Sequence, residues 1–380
     1  MSQRLQTAVR DVDTVARLGG DEFIVLLPEH GGDALTPGAV QRIMNAVGQP
    51  MVIEGHELFV SCSIGVATFP ADGADSETLV AHANMAMYRA KETGRNNFQF
   101  FTAEMNEGFL DRLDMEGDLR NAIDQNQMLV HYQPQVDLQT GHVVGMEALL
   151  RWNHPVRGMV PPVRFIKLAE ETGLIMPIGQ WVLRTACAQN RAWQMAGLGH
   201  LRVAVNLSAR QFTHTGLVDL IAGILDETGL EAKYLDIELT ESLVMTDVEN
   251  VTNILRQLEE LGVQISIDDF GTGYSSLAYL SRFPIDVLKI DQSFVRNVAT
   301  SPDDAAIVAS IISLAHNLRL HVIAEGVESE AQLDYLRRHG CEEMQRYLFS
   351  KAVPANEFEL LLRGQKRLTL KPSAAVHHIE

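Results

Sequence analysis

From residue 129 onward the chain alternates short β-rich runs with helical patterns, and this alternation constrains the fold more than any other feature. The strand-like segments are LVHYQPQVDL, HVVGMEALLRW, LRVAVNLS, YLDIELTES, VQISIDDF, DVLKIDQSF, HVIAEGVES and EMQRYLFSK. Helical segments lie between most of them. In DVENVTNILRQLEELG, Val248, Val251, Leu255, Leu258 and Leu261 fall on one stripe. In DDAAIVASIISLAHNL, Ile307, Val308, Ile311, Ala315 and Leu318 do the same. This succession fits an α/β fold, a (β/α)8 TIM-like barrel. A doubly wound open sheet is the alternative, but it usually carries a Gly-rich phosphate turn after its first strand, and HYQPQVDLQTG is a poor match.

Six of these strands carry polar residues where a barrel strand should run apolar. They are Glu147, Asn206, Glu238, Asp268 with Asp269, Lys289 and Glu325. Side chains alternate across a strand, so Asn206 shares a face with Ala204, Asp268 with Ser266, and Glu325 with Ile323. Val203 and Val205, Ile265 and Ile267, and Val322 and Ala324 face the other way. The pattern points the polar groups into one barrel mouth, where active sites of this fold gather. A lone buried carboxylate is costly, and a cluster of them is untenable without cations. Oxygen-rich donors with one amide suit hard divalent ions such as Mg²⁺ or Mn²⁺. Two ions about 3.5–4 Å apart can activate a water and stabilise both oxygens of an in-line phosphoryl displacement. Lys289 would orient or help deprotonate that water, or stabilise charge on the phosphate. Separately salt-bridged core polars are the bland alternative.

The N-terminal region reads differently. Residues 15–29 form strand, Gly19-Gly20 turn and strand. Residues 38–48 look helical, 57–69 look like one strand, and 76–93 form a helix capped by Ser76 and stopped by Gly94. FQFF is a further strand, ending near 101. Residues 103–127 read as an amphipathic linker helix. Only 18 residues precede Gly19, so this domain is expected to lack its own beginning.

Charge and cysteine content narrow the partners. The formal charge of −18 disfavours long nucleic acid, yet admits a small phosphorylated ligand if metals neutralise the carboxylates. Cys62, Cys187 and Cys341 are few, odd in number and far apart, which argues for free thiols rather than disulfides or zinc. No run approaches the roughly 18–20 apolar residues of a membrane span, and MSQRLQTAVRDVD has no signal-peptide core. Cytoplasmic location is the expectation.

EALLRW, NLSARQF, ELTES, DDFGTGYSSL, PIDVLKID, AEGVE and EMQRYLFSK resemble the successive motifs of EAL-domain phosphodiesterases. RLGGDEF (Gly19, Gly20, Asp21, Glu22, Phe23), with SIGVA at 63–67 and MAMYRAKETGRN at 85–96, resembles GGDEF-domain diguanylate cyclases. The chain is therefore similar to a GGDEF–EAL tandem protein. The expected division is an incomplete GGDEF domain over 1–102, a linker or first helix over 103–127, an EAL domain over 116–368 and a disordered tail over 369–380. The resemblance implies hydrolysis of cyclic di-GMP to linear pGpG with two Mg²⁺ or Mn²⁺ ions. It makes Glu147, Asn206, Glu238, Asp268, Asp269 and Glu325 metal ligands and Lys289 the water-activating residue. It makes Glu241 the support of the loop over 268–276, whose Gly271 and Gly273 let it fold against the metals. Gln133, Arg151, Asp291, Glu328 and Gln345 become substrate contacts. A homodimer through the barrel is a further implication. A catalytically silent cyclic di-GMP receptor, and a barrel hydrolase for another phosphodiester, are the competing readings.

Two departures matter. The family's QGY is Gln345-Arg346-Tyr347 here, which places a long cation at the end of the last strand. If the glycine's small size is needed there, Arg346 is expected to strain the backbone or crowd the pocket and slow turnover, and Arg346→Gly to raise it; if Arg346 points outward, the effect is expected to be small. The early part of the cyclase fold is not matched, so Asp21 and Glu22 are expected to support no cyclase activity. Arg10 and Asp13 match the RxxD inhibitory site, which is not expected to form in an incomplete domain.

Overall fold

The computed structural model of the protein describes residues 1–28, 37–53, 56–245, 247–272 and 280–370. The chain divides into two compact units, Met1–Met115 and Glu116–Glu380. The second half of the 268–276 loop, with Gly273, and most of the expected tail lie outside the described residues.

In the first unit, β1 (Thr14–Gly19) and β2 (Glu22–Leu26) form the expected hairpin. Gly20 takes φ +53 at its turn, a conformation glycine adopts without steric cost. Arg17 closes the turn by donating to the Gly20 carbonyl at 2.6 Å. Helix Pro37–Val47 packs Ile43 and Val47 on Leu5, with Val15, Phe23 and Val25 against them. The single strand expected over 57–69 is instead two short ones. β3 (Met51–Ile53) pairs with β4 (His56–Leu58), and β5 (Ile64–Val66) pairs in parallel with β6 (Phe98–Phe100). The second of these, β5, packs on helix Ser76–Glu92. There a Cβ on Gly65 would lie 1.8 Å from the Ala83 carbonyl oxygen. That helix is capped by Asp75, one residue before the expected Ser76, through a 2.8 Å bond from Thr78 N.

The second unit is a closed eight-stranded barrel with a departure from (β/α)8 regularity. Its strands are β7 (Met128–Asp137), β8 (Val143–His154), β10 (Arg202–Asn206), β11 (Leu235–Thr240), β12 (Gln264–Phe270), β13 (Val287–Ile290), β14 (His321–Glu325) and β15 (Glu343–Gln345). The short strands β9 (Gly158–Val160) and β16 (Val353–Pro354) pair onto β8 and β7. From β8 to β15 neighbours run parallel, but β7 is antiparallel to both β8 and β15. The reason lies in the β7–β8 connection. Asp137 accepts from Gln139 N and Thr140 N, and Gly141 turns at φ +71. So tight a turn joins antiparallel strands and leaves no room for a crossover helix.

The helices between the parallel strands follow their apolar stripes. Helix Val248–Leu261 starts at the Asp247 cap, buries Val251, Leu255 and Leu258, and stops at Gly262 in the left-handed conformation. Helix Pro302–Asn317 buries Val308, Ile311, Ile312 and Ala315. Ile307, expected on that stripe, is exposed. The spacing 308, 311, 312, 315 defines the inward face, and residue 307 lies about 100° off it. No described helix is long and apolar enough to cross a membrane.

Candidate active site

The barrel gathers its polar strand residues around one lysine. Lys289 on β13 is fully buried, with Nζ 2.7 Å from Glu325 Oε1, 2.9 Å from Glu238 Oε2, 3.2 Å from Asp268 Oδ1 and 3.9 Å from Glu147 Oε2. These groups come from β14, β11, β12 and β8. Register places them together, because Glu147 lies beside Ala204 of β10, Asn206 beside Glu238, and Glu325 beside Gln345. The ammonium sits among the carboxylates as a point charge, without a hydrogen-bond alignment to any of them.

Amides fix the rim of this cluster. Asn206 Nδ2 donates to Glu147 Oε1 at 2.6 Å, and Gln345 Nε2 donates to Glu147 Oε2. Gln345 Nε2 also lies 3.2 Å from Gln133 Oε1, and Gln135 Nε2 donates to Gln345 Oε1 at 3.3 Å. The antiparallel β7 thus contributes two glutamines facing the same interior. Gln135 and Asp236 were not singled out from the sequence. Their signal was period-two spacing, since Gln133/Gln135 and Asp236/Glu238 each share a strand face. Asp236, two residues before Glu238 on the same face, is buried and accepts the Ser266 hydroxyl, whose Oγ lies 2.8 Å from Oδ1 and 2.7 Å from Oδ2.

Simple alternation would send Asp269 to the face opposite Asp268. Instead β12 shifts register between Ile267 and Phe270, and Asp269 takes φ +55. This kink returns the carboxylate to the mouth, so oxygens of Asp268, Asp269 and Glu325 all lie within 4.8 Å of one another. Next to them, Glu241 Oε2 accepts from Gly271 N at 2.9 Å. Asp291, at the start of helix Gln292–Arg296, accepts from Ser293 N and interacts with Asp269.

The remaining sequence-selected residues fall at different distances from this centre. Arg151 is half-buried on β8 and donates to its neighbour's carbonyl, Leu150 O, at 2.9 Å. Glu328 is exposed, with its backbone N–H tied to Gln332 Oε1 in the cap of helix Glu330–Arg338. In the first unit, Asp21 and Glu22 are exposed at the hairpin turn, and Phe23 packs beneath Arg17. Arg10 N donates to Asp13 Oδ2 at 2.7 Å in a local turn.

The electrostatics show a surplus of negative charge. Burial, then the charges of Asp268 and Asp291, push Asp269 up to about 6. Burial outweighs the Lys289 charge at Glu325 and raises it to about 7. Burial and the Glu147 charge raise Glu238 well above the carboxylate range. Burial opposes charge on Glu147 too, but Lys289, Gln345 and Asn206 together hold it below its ordinary value. Burial also works against the Lys289 charge, yet Asp268, Glu147, Glu238 and Glu325 raise its pKa far above the usual lysine value. One lysine therefore does not balance the cluster. Both oxygens of Glu238 are buried, and the Lys289 ammonium lies 2.9 Å from Oε2 without hydrogen-bond alignment. Buried carboxylates that outnumber their cation, beside an amide, are a donor set that fits hard divalent cations.

The EAL domain family matches residues 116–352, well over half the chain. The chain belongs to the EAL-domain family. Residues 1–97 match the diguanylate cyclase GGDEF domain, giving the GGDEF–EAL order. MucR of Pseudomonas aeruginosa, described as a bifunctional diguanylate cyclase/cyclic di-GMP phosphodiesterase, is 46% identical over 94% of this chain and 52% of its own length. The cyclic di-GMP phosphodiesterase PdeR of Escherichia coli is 43% identical over 91% of this chain and 52% of its own length. The chain thus spans about half the length of the curated relatives it matches. Among solved structures, the PaMucR phosphodiesterase in its c-di-GMP complex is 48% identical with a TM-score of 0.63, covering 64% of this chain and 99% of that one. The EAL domain of Mycobacterium smegmatis DcpA is 38% identical with a TM-score of 0.54, covering 63% of this chain and 97% of that one.

Proposed function

We propose that the EAL barrel hydrolyses cyclic di-GMP to linear pGpG. The observation that carries this reading is the buried Lys289 surrounded by Glu147, Glu238, Asp268 and Glu325, with Asn206 and Asp269 beside them, at the mouth of a barrel of this family. Glu147, Asn206, Glu238, Asp268, Asp269 and Glu325 would hold two divalent ions, Mg²⁺ or Mn²⁺. Such ions supply polarisation of a phosphodiester and a lowered pKa for water. Gln345 and Asn206 orient Glu147 through both of its oxygens. The surrounding carboxylates keep Lys289 protonated, so its ammonium orients water and offsets charge on phosphate oxygens. It becomes a proton acceptor only where cations have taken over part of the carboxylate charge.

Gln133, Gln345, Arg151, Asp291 and Glu328 line the approach as candidate substrate contacts. The guanidinium fork of Arg151 suits a phosphate. The GGDEF unit is proposed to have no cyclase activity in this chain: Asp21 and Glu22 are exposed, and among the described residues the only cluster of three acidic or metal-ligating groups is in the barrel. Formation of cyclic di-GMP from GTP would refute that.

The deciding experiment incubates the protein with cyclic di-GMP and Mn²⁺ or Mg²⁺ and follows pGpG by chromatography, with Glu147→Ala in parallel. Metal-dependent pGpG formation is expected from the parent, with a fall of at least about 10²-fold in the variant. Tight binding without turnover in the parent would establish a receptor instead, and neither binding nor turnover would point to another phosphodiester.

A further inference from the structure

Arg346 stands apart from every other described non-glycine residue in its backbone. Six other non-glycine residues have positive φ, all between +46 and +63, within the left-handed helical basin. Arg346 has φ +128, a value that strains any residue with a Cβ. Its neighbours hold it there. The Arg346 carbonyl accepts from Phe349 N at 3.1 Å and Ser350 N at 3.2 Å, while Val327 N donates to Gln345 O and Leu348 N to Val327 O. Its side chain points to a role other than crowding.

The guanidinium extends over Gly326, the residue after Glu325. A Cβ on Gly326 would lie 3.5 Å from Arg346 Nη1. The cation therefore lies at the mouth where β14 and β15 end. In a chain of net charge −18, it nonetheless makes no ion pair or side-chain hydrogen bond among the described residues. Its only side-chain partner there is the ring of Tyr347, 5.4 Å from Cζ. Tyr347 is 51% exposed and also lies under Lys351 Nζ, 5.2 Å from its centroid. Two cations thus lie near an exposed aromatic ring two residues after Gln345, and among the described residues neither has an acidic partner. A strained backbone that presents, at a site mouth, a guanidinium fork with no acidic partner among the described residues is the arrangement expected of an anion contact.

We propose that Arg346 is a substrate-positioning residue that binds a phosphate oxygen of the cyclic dinucleotide. The inference rests on the function proposed above and refines its binding site. Arg346 would act in binding and orientation, upstream of the reacting atoms.

The test compares Arg346→Gly, Arg346→Ala and Arg346→Lys with the parent for KM, kcat, salt dependence of KM and Tm. Arg346→Gly relieves the strain and removes the cation together. Its Tm should rise by about 2–4 °C, while KM for cyclic di-GMP rises about tenfold and kcat changes less than about threefold. Arg346→Ala removes only the cation, so KM should rise equally with no gain in Tm. Arg346→Lys should fall between, because it keeps the charge and loses the fork. The salt dependence of KM should weaken in the glycine and alanine variants.

An unchanged or lower KM with faster turnover in Arg346→Gly would show crowding and overturn the proposal. So would a variant that loses preference for cyclic di-GMP over cyclic di-AMP, since that would place the contact on a base edge. Hydrolysis by the parent with KM unaffected in the variants removes this inference alone. A parent that neither binds nor hydrolyses cyclic di-GMP removes the function, and this inference with it.

Discussion

Single residues hold the mouth in shape, and Gly271 shows how narrow the tolerance is. It takes φ +99, donates its N–H to Glu241 Oε2 at 2.9 Å, and leaves no space for a side chain: a Cβ there would lie 2.8 Å from the Phe294 ring. Glu241 is buried beside it. The pair connects helix Glu241–Val244 to the end of β12, immediately after the Asp268-Asp269 kink. Gly271→Ala adds both backbone strain and a contact that the ring must yield to. It should cost about 1–3 kcal/mol in urea unfolding and lower pGpG formation at least about tenfold, because Asp269 is two residues away. Wild-type activity in a stable Gly271→Ala protein would show that the Glu241–Gly271 contact has no bearing on the carboxylates.

At the scale of elements, what was readable in the sequence was whatever follows period two or period 3.6. The stripe on helix Val248–Leu261 and the inward polar residues of β8, β10, β11, β13 and β14 are of this kind. The antiparallel β7 was not readable that way, because strand periodicity carries no direction; only the Asp137–Gly141 turn contains it. Nor was the return of Asp269 to the mouth, which depends on a local left-handed kink rather than alternation. A third case sits at the opposite end of the strands. Arg202 of β10 donates to both oxygens of buried Glu343 on β15, and His321 of β14 reaches the same carboxylate at 2.7 Å. These residues lie far apart in sequence, so no local pattern announces them. Arg202→Met would leave Glu343 buried with only His321. About 3–5 kcal/mol of stability should be lost, while KM for cyclic di-GMP stays unchanged, since the pair lies away from the mouth. A change in KM as large as the change in stability would contradict that division between the two ends of the barrel.

For the barrel as a whole, the surplus of carboxylates makes stability depend on protons and cations in opposite senses. In the folded chain Asp269 and Asp236 sit near 6 and Glu325 near 7, and Glu238 is likewise raised well above its ordinary value, each primarily by burial. Unfolded carboxylates titrate near 4. A group raised on folding gives its full stabilisation below the unfolded value and loses it as pH climbs through the folded one. Glu147 is shifted the other way, so its contribution is already complete above its ordinary 4.5 and stays constant at higher pH. Lys289, raised from 10.5, does not titrate in the same window. Between pH 5.5 and 8 the protein in chelator should therefore become less stable as pH rises. Divalent cations need the deprotonated ligands, so Mn²⁺ at fixed concentration should raise Tm more at pH 8 than at pH 5.5. Thermal melts of the parent and of Glu325→Gln, with chelator and with Mn²⁺, measure both slopes. The variant should show a flatter decline in chelator and a smaller response to Mn²⁺. A parent whose metal-free stability climbs over this range, or whose response to Mn²⁺ is larger at pH 5.5, would mean that the carboxylates around Lys289 are balanced without cations, and the metal-holding role of the cluster would fall with that result.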